Sequence, residues 1–259
     1  MKLAIHTQLD YFFAGPTDVL LQLEAAAIPE QTIERAYIDI SPVRHFARVP
    51  AHDCIGDRLW LNVEGRLTVD YTSTVSINRI CGDIAGLAAV PPHLLPGETV
   101  QYLFASRYCP SDQFGNFVDA QFGSLTGGAR VQAIHDWIEQ HFTYVAGSST
   151  TATGAIDTFV MRQGVCRDFA HVMVTLTRAC GIPARFASVY APKVLPQDFH
   201  AVAEVFLDGT WYLVDATGMA SGQDVAKIAV GRDAADTSFL TSYGQAMLNR
   251  QSVEVTVLV

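Results

Sequence analysis

Apolar and polar side chains alternate in long runs along the first 88 or so residues. The runs LAIHTQLDYFF, IERAYIDISP and DRLWLNVEGRLTVDYTSTVSI are rich in β-branched and aromatic residues, and they predict a small antiparallel β-domain. Within the third run, a turn centred on Glu64 and Gly65 is expected to fold two alternating segments into a hairpin. Pro91, Pro92, Pro96 and Gly97 then break the pattern. The stretch 89–97 is the natural boundary, with a β-rich domain over 1–90 and a second domain over 91–259.

Beyond Gly97 the apolar period lengthens. Thr126 reads as an N-cap, followed by Val131, Ile134, Ile138 and Phe142 on one helical stripe. His135 and His141 lie on different faces of that helix, so they read as partly exposed helical histidines rather than a zinc pair. A short helix AIDTFVMRQ is expected to stop at Gly164, a residue suited to a left-handed cap. The next helix, in GVCRDFAHVMVTLTRACGIPAR, carries Phe169, Val172, Met173, Leu176 and Cys180 on one face and ends at Gly181 and Pro183. Three strands follow, ARFASVYAP, HAVAEVFL and WYLVDAT, the last two joined through Asp208 and Gly209.

Composition narrows the function classes. Hydrophobic residues make up 49% and charged residues 17%, a balance that builds a packed core and excludes a disordered or collagen-like chain. The net charge of −9 repels phosphate backbones, so nucleic acid is not an expected partner. Five cysteines (Cys54, Cys81, Cys109, Cys166, Cys180) are odd in number and contain no CxxC pair. Neither a disulfide framework nor a cysteine zinc site is indicated, and no metal or cofactor is expected. The start MKLAIHTQLDYFF lacks a secretory pattern, and no apolar run approaches the ~18 residues a membrane span needs, so a cytoplasmic location without membrane contact is expected.

The chemistry gathers in the second half. Cys166 falls in the first turn of its helix, where unpaired backbone N–H groups and the helix dipole favour a thiolate. A two-residue Asp208–Gly209 turn sets Leu207 opposite Thr210, and therefore His200 opposite Thr217 and Asp215 opposite Val202. His200 and Asp215 become diagonal neighbours on one face, roughly 7–8 Å apart at the backbone and within side-chain reach. Glu204 shares that face but lies four residues along the strand, roughly 13 Å away, too far to orient the imidazole. A Cys at a helix start, a strand His and a diagonally placed Asp are the parts of a cysteine acyl-transfer site.

The runs GVCRDFAHVMVTLTRACGIPARFASVY and DFHAVAEVFLDGTWYLVDATG resemble the transglutaminase-like cysteine enzymes, specifically a bacterial group with a β-rich domain ahead of the catalytic core. The resemblance covers most of residues 126–220. It implies an α+β, papain-like core in which a Cys-bearing helix packs on an antiparallel sheet, with an N-terminal antiparallel β-domain before it. It also implies Cys166 as nucleophile, His200 as general base and acid, and Asp215 as the residue orienting His200. Tyr144 is similar to an aromatic the family can use as a second oxyanion donor, and Asp168 resembles a common acid of the group, although a first-turn acid favoured by the dipole accounts for it equally. Val202 stands where the family usually has Trp, and Ala216, Thr217 and Gly218 stand where Pro, Thr and Asn are common. The stretch GRDAAD from Gly231 to Asp236 also matches, and reads as a solvated charged loop. The implied activity is that of a cysteine peptidase or amidase acting on a peptide, protein or amide substrate through a thioester. Transfer to an amine, as in a true transglutaminase, and an inactive binding or scaffold protein of the same fold are the alternatives.

Overall fold

A computed structural model describes residues 1–79 and 81–258. The elements in chain order are β1 (Lys2–Leu21), β2 (Gln31–Ile40), β3 (His45–Pro50), β4 (Asp57–Ile77), α1 (Gly97–Val100), α2 (Gly115–Phe122), α3 (Gly127–His141), β5 (Thr143–Tyr144), α4 (Ala155–Met161) and β6 (Gln163–Gly164). Then come α5 (Cys166–Ala179), β7 (Ala184–Tyr190), β8 (His200–Leu207), β9 (Thr210–Val214), β10 (Ala226–Gly231), β11 (Leu240–Ser242) and β12 (Met247–Leu258). The class is α+β, as the sequence predicts.

β4 does not fold back at Glu64 and Gly65. It is one strand of 21 residues lying antiparallel to the 20-residue β1. The two runs stay in line because β1 offers an edge to both, and the irregularity is taken up as a bulge where pairing moves from Phe13–Gly65 to Thr17–Val63. Gly65 sits there with φ +82°, a conformation suited to glycine. β2 and β3 pair with the two halves of the far edge of β4. The other edge of β1 is taken by β12 and β11, so the last two strands, expected with the catalytic core, complete the N-terminal sheet instead. Val253 and Val255 are buried in that sheet's core, and it is their period-two burial that places β12 there.

The second sheet is antiparallel, in the order β10-β7-β8-β9. One face is covered by α5 and α3, whose Phe169, Val172, Met173, Leu176 and the predicted Val131, Ile134 and Ile138 form the core with Ala203, Val205 and Leu207. The other face meets the six-stranded sheet: Tyr190 and Ile228 are buried among Leu3, Leu9, Leu61 and Tyr71. The molecule is thus layered as helices, sheet, sheet, with the four-stranded sheet in the middle. Charged groups cross the inner layer boundary. Glu204 lies between Arg185 (2.6 Å) and Lys227 (2.5 Å), and these in turn reach Asp53 (2.9 Å) and Glu30 (2.6 Å) of the first 77 residues.

α4 ends earlier than the sequence predicts. Its last residue is Met161, and Arg162, not Gly164, takes the left-handed conformation at φ +57°. Gly164 is needed for another reason, since a Cβ there would stand 2.7 Å from that of Asp168. α3 and the end of α5 follow expectation, with Thr126 at the N-cap and Gly181 at φ +75°.

Candidate active site

Cys166 opens α5, and the start of that helix is fixed by a buried acid. Val165 is extended, and its N–H donates to Asp168 Oδ2 at 2.9 Å, while Arg167 meets Asp168 Oδ1 at 3.1 Å. Asp168 is fully buried, so its capping bond and its cation offset the cost of desolvation. It shapes the helix end that carries the thiol.

The Asp208–Gly209 turn has both residues at positive φ, 48° and 78°, as a two-residue hairpin of this kind requires. β8 and β9 pair with Leu207 opposite Thr210 and Ala203 opposite Val214, the register the sequence predicts. His200 at the start of β8 and Asp215 just past β9 come together: His200 Nε2 lies 2.8 Å from Asp215 Oδ2, with both side chains almost wholly buried. Asp215 accepts three further bonds, from the Thr217 N–H (2.9 Å), the Thr217 hydroxyl (2.7 Å) and the Ala220 N–H (2.8 Å). These orient the carboxylate toward the ring. Burial pushes the Asp215 carboxyl up, but the His200 bond and the Thr217 donors outweigh it and hold it below the usual range.

The other ring nitrogen, Nδ1 of His200, has no hydrogen-bond partner among the described residues, and Cys166 lines the same cleft as His200. Burial alone would lower the imidazole; the bond to Asp215 and the influence of Cys166 reverse this and raise it to about 9. Tyr144 is also beside Cys166. Burial first, and then the thiol's charge, raise that phenol. All four predicted residues, Cys166, His200, Asp215 and Tyr144, therefore share one locality. Glu204 is absent from it, as its distance along the strand predicts.

Several contributors are not apparent in the sequence. Thr217 and Ala220 hold Asp215 through an Asx-type turn, for which the D-A-T run was a usable signal. His135 donates from Nε2 to the Asp215 carbonyl at 3.1 Å, so it is a support of the site rather than only a partly exposed helical residue. His141 turns elsewhere, bonding Trp137 O at 2.7 Å.

GRDAAD departs furthest from expectation. It is not a solvated loop: Asp233 is 2% exposed and accepts the Tyr108 N–H at 2.9 Å, while the Ala234 N–H donates to His171 Nε2 at 3.1 Å. Burial, then the charges of Arg167 and Arg178, drive His171 far below the usual histidine range, so it stays a neutral acceptor. Anchored in this way, Ala234 and Ala235 form part of the wall of a cleft of about 570 Å³ that opens over Cys166 and His200. Its aromatic walls are Tyr108, Phe186 and the stacked pair Phe199 and Phe239, whose centroids are 4.5 Å apart.

The Transglutaminase-like superfamily profile matches residues 118–216, the segment holding Cys166, His200 and Asp215. A crystal structure named "Putative Cysteine Protease from Cytophaga hutchinsonii" is 33% identical, with a TM-score of 0.91 over 99% of this chain and 90% of that chain. The chain belongs to the transglutaminase-like superfamily. That likeness spans both sheets, so the β-rich N-terminal half belongs to the fold the two proteins share. An uncharacterized protein of Mycobacterium leprae (strain TN) is 26% identical over 116 residues, 42% of each chain. An uncharacterized protein of Mycobacterium tuberculosis (strain ATCC 25618 / H37Rv) is 43% identical over 49 residues, 19% of this chain and 16% of that one. The chain thus spans less than half the length of these two relatives. No helix among the described residues is long and apolar enough to cross a membrane.

Proposed function

We propose that this protein is a cysteine-nucleophile acyl-transfer enzyme that hydrolyses peptide or amide bonds. The observation carrying this is His200: its ring is buried, tied through Nε2 to Asp215 at 2.8 Å, with Nδ1 left unpaired and Cys166 lining the same cleft. In the first half-reaction the Cys166 sulfur bonds to the amide carbonyl carbon, the C–N bond breaks, and His200 gives its proton to the leaving amine. In the second, water attacks the thioester, His200 takes its proton, and the sulfur leaves as thiolate. The Cys166 N–H at the helix start supplies one oxyanion donor, and Tyr144 is a candidate for the second. Five unpaired thiols support a reducing, cytoplasmic setting.

Iodoacetamide at mildly acidic pH, followed by mapping of the modified cysteines, tests the thiolate–imidazolium pair. Rapid labelling confined to Cys166 and suppressed by His200→Ala is expected; slow, uniform labelling of all five cysteines would sink the enzyme reading. Ammonia release from a glutamine peptide, with and without a primary amine, then separates the two fates of the thioester. Incorporation of the amine would mean transfer rather than hydrolysis.

The rate profile has a predicted alkaline limb. Because His200 is held up to about 9, the imidazolium that must donate to the leaving amine persists through neutral pH and is lost as pH rises through that value. A kcat/KM profile falling near pH 9 is expected. A fall centred near 6.5, the ordinary histidine value, would show that Asp215 and Cys166 do not hold the proton.

A further inference from the structure

The six-stranded sheet ends beside the cleft. Among the described residues β11 pairs with β1 and with no other strand, setting Leu21 opposite Leu240, Leu20 opposite Thr241 and Val19 opposite Ser242. Two flanking bonds fix which backbone groups face which way: the Gln22 N–H donates to Phe239 O and the Tyr243 N–H to Asp18 O, each at 3.0 Å. Antiparallel pairs alternate between bonded and non-bonded, so the Leu20–Thr241 pair is bonded and the backbone groups of Leu240 and Ser242 point away from β1. The Leu240 carbonyl accepts the Ser238 hydroxyl at 2.9 Å. The Leu240 N–H has no partner among the described residues. Further along the same edge, the Gln197 side chain bonds both the N–H (2.8 Å) and the carbonyl (2.9 Å) of Val255 on β12, as a neighbouring strand would. The stretch from Thr237 to Thr241 lines the cleft with Cys166 and His200.

We propose that β11 is a docking edge for an extended polypeptide, which adds to the six-stranded sheet as a further strand and so carries its scissile carbonyl to Cys166. This rests on the acyl-transfer reading above and names its substrate class. The main chain supplies a carbonyl to the Leu240 N–H, and the Phe199–Phe239 pair offers an apolar surface to alternate side chains of the added strand. A small amide without a peptide backbone cannot use this edge. The N-terminal sheet thereby has a part in substrate binding.

Leu240→Pro removes the outward N–H, and proline is tolerated at an edge position whose N–H takes no part in the ladder. Turnover is read on two probes, a randomised library of internally quenched decapeptides and p-nitrophenyl acetate, with thermal melting to verify the fold. The variant is expected to lose about tenfold more on the decapeptides than on the ester, the worth of a hydrogen bond made in the transition state. Equal turnover of both probes relative to wild type, or equal loss of both, overturns the docking edge. Ester turnover with no decapeptide turnover by the wild-type protein overturns the polypeptide class while leaving the Cys166 chemistry standing; turnover of neither removes the underlying acyl-transfer reading. On the unaltered protein, a cleaved decapeptide carrying a single backbone N-methyl group at each position in turn is expected to lose turnover at alternate positions near the scissile bond. Losses without that alternation overturn strand addition.

Discussion

Replacing Asp215 by asparagine is expected to cut acyl-transfer turnover by about 10³–10⁴-fold, even though the substitution keeps the shape of the side chain. Every partner of this carboxylate is a donor: His200 Nε2, the Thr217 N–H and hydroxyl, and the Ala220 N–H. An amide has one oxygen for two sets of donors. With its oxygen kept toward Thr217, its NH₂ faces Ala220 and the ring. The imidazole must then accept at Nε2 and carry its proton on Nδ1, toward Cys166, where it can no longer take the thiol's proton. The Ala220 N–H loses its acceptor as well, at a cost of about 1–3 kcal/mol if it stays buried. p-Nitrophenyl acetate turnover and the rate of Cys166 alkylation at mildly acidic pH measure the effect. Turnover within about tenfold of wild type would mean that Asp215 does not set the state of His200.

Glu204→Gln is expected to cost about 3–5 kcal/mol of stability, or roughly 10 °C in melting temperature. Burial would raise this carboxyl, but Lys227 and Arg185 outweigh it and hold it at about 2. Removing its charge leaves both cations buried, with only the half-exposed Glu30 and Asp53 as counter-charges. The sign with pH follows from the lowered value: the ionised Glu204 contributes fully above its ordinary 4.5, and the contribution is lost as pH falls toward 2. The difference in melting temperature between wild type and variant should therefore be largest at neutral pH and shrink on acidification below about 4. A difference that is small at pH 7, or unchanged between pH 7 and pH 3, would show that the cluster adds little to holding the two sheets together.

What could be read from the sequence was chiefly local. The Asp208–Gly209 turn determines a register, and a register determines which side chains share a face, so His200 and Asp215 could be paired before any coordinates. Cys166 was legible because its helix is bounded by sharp signals, Gly164 before and Gly181 after. Long-range partnerships were not legible. Nothing in the alternating pattern of β12 says that β1 is its neighbour, since period-two burial specifies a face but no partner. For the same reason β4 could be mistaken for a hairpin: Glu64–Gly65 fits a turn equally well as a bulge, and the length of β1 decides between them. GRDAAD looked solvated because it is charged. Its acid is buried by acceptor bonds to the chain at Tyr108, and the loop is held by a histidine 63 residues earlier in sequence, which composition does not reveal.

The pairing of β1 with β11 and β12 has a temporal consequence. A growing chain leaves the ribosome from its N-terminus, so β1 emerges well ahead of the strands that cover its outer edge. Contacts between residues more than two hundred positions apart form slowly because they close a long loop. Cys166, His200 and Asp215 are all synthesised before residue 240, so the three can be brought together on the four-stranded sheet while one wall of their cleft is still missing. Completion of that wall is a late event in the life of each molecule, and until then the bare edge of β1 is a surface that chaperones, or other unfinished chains, can occupy.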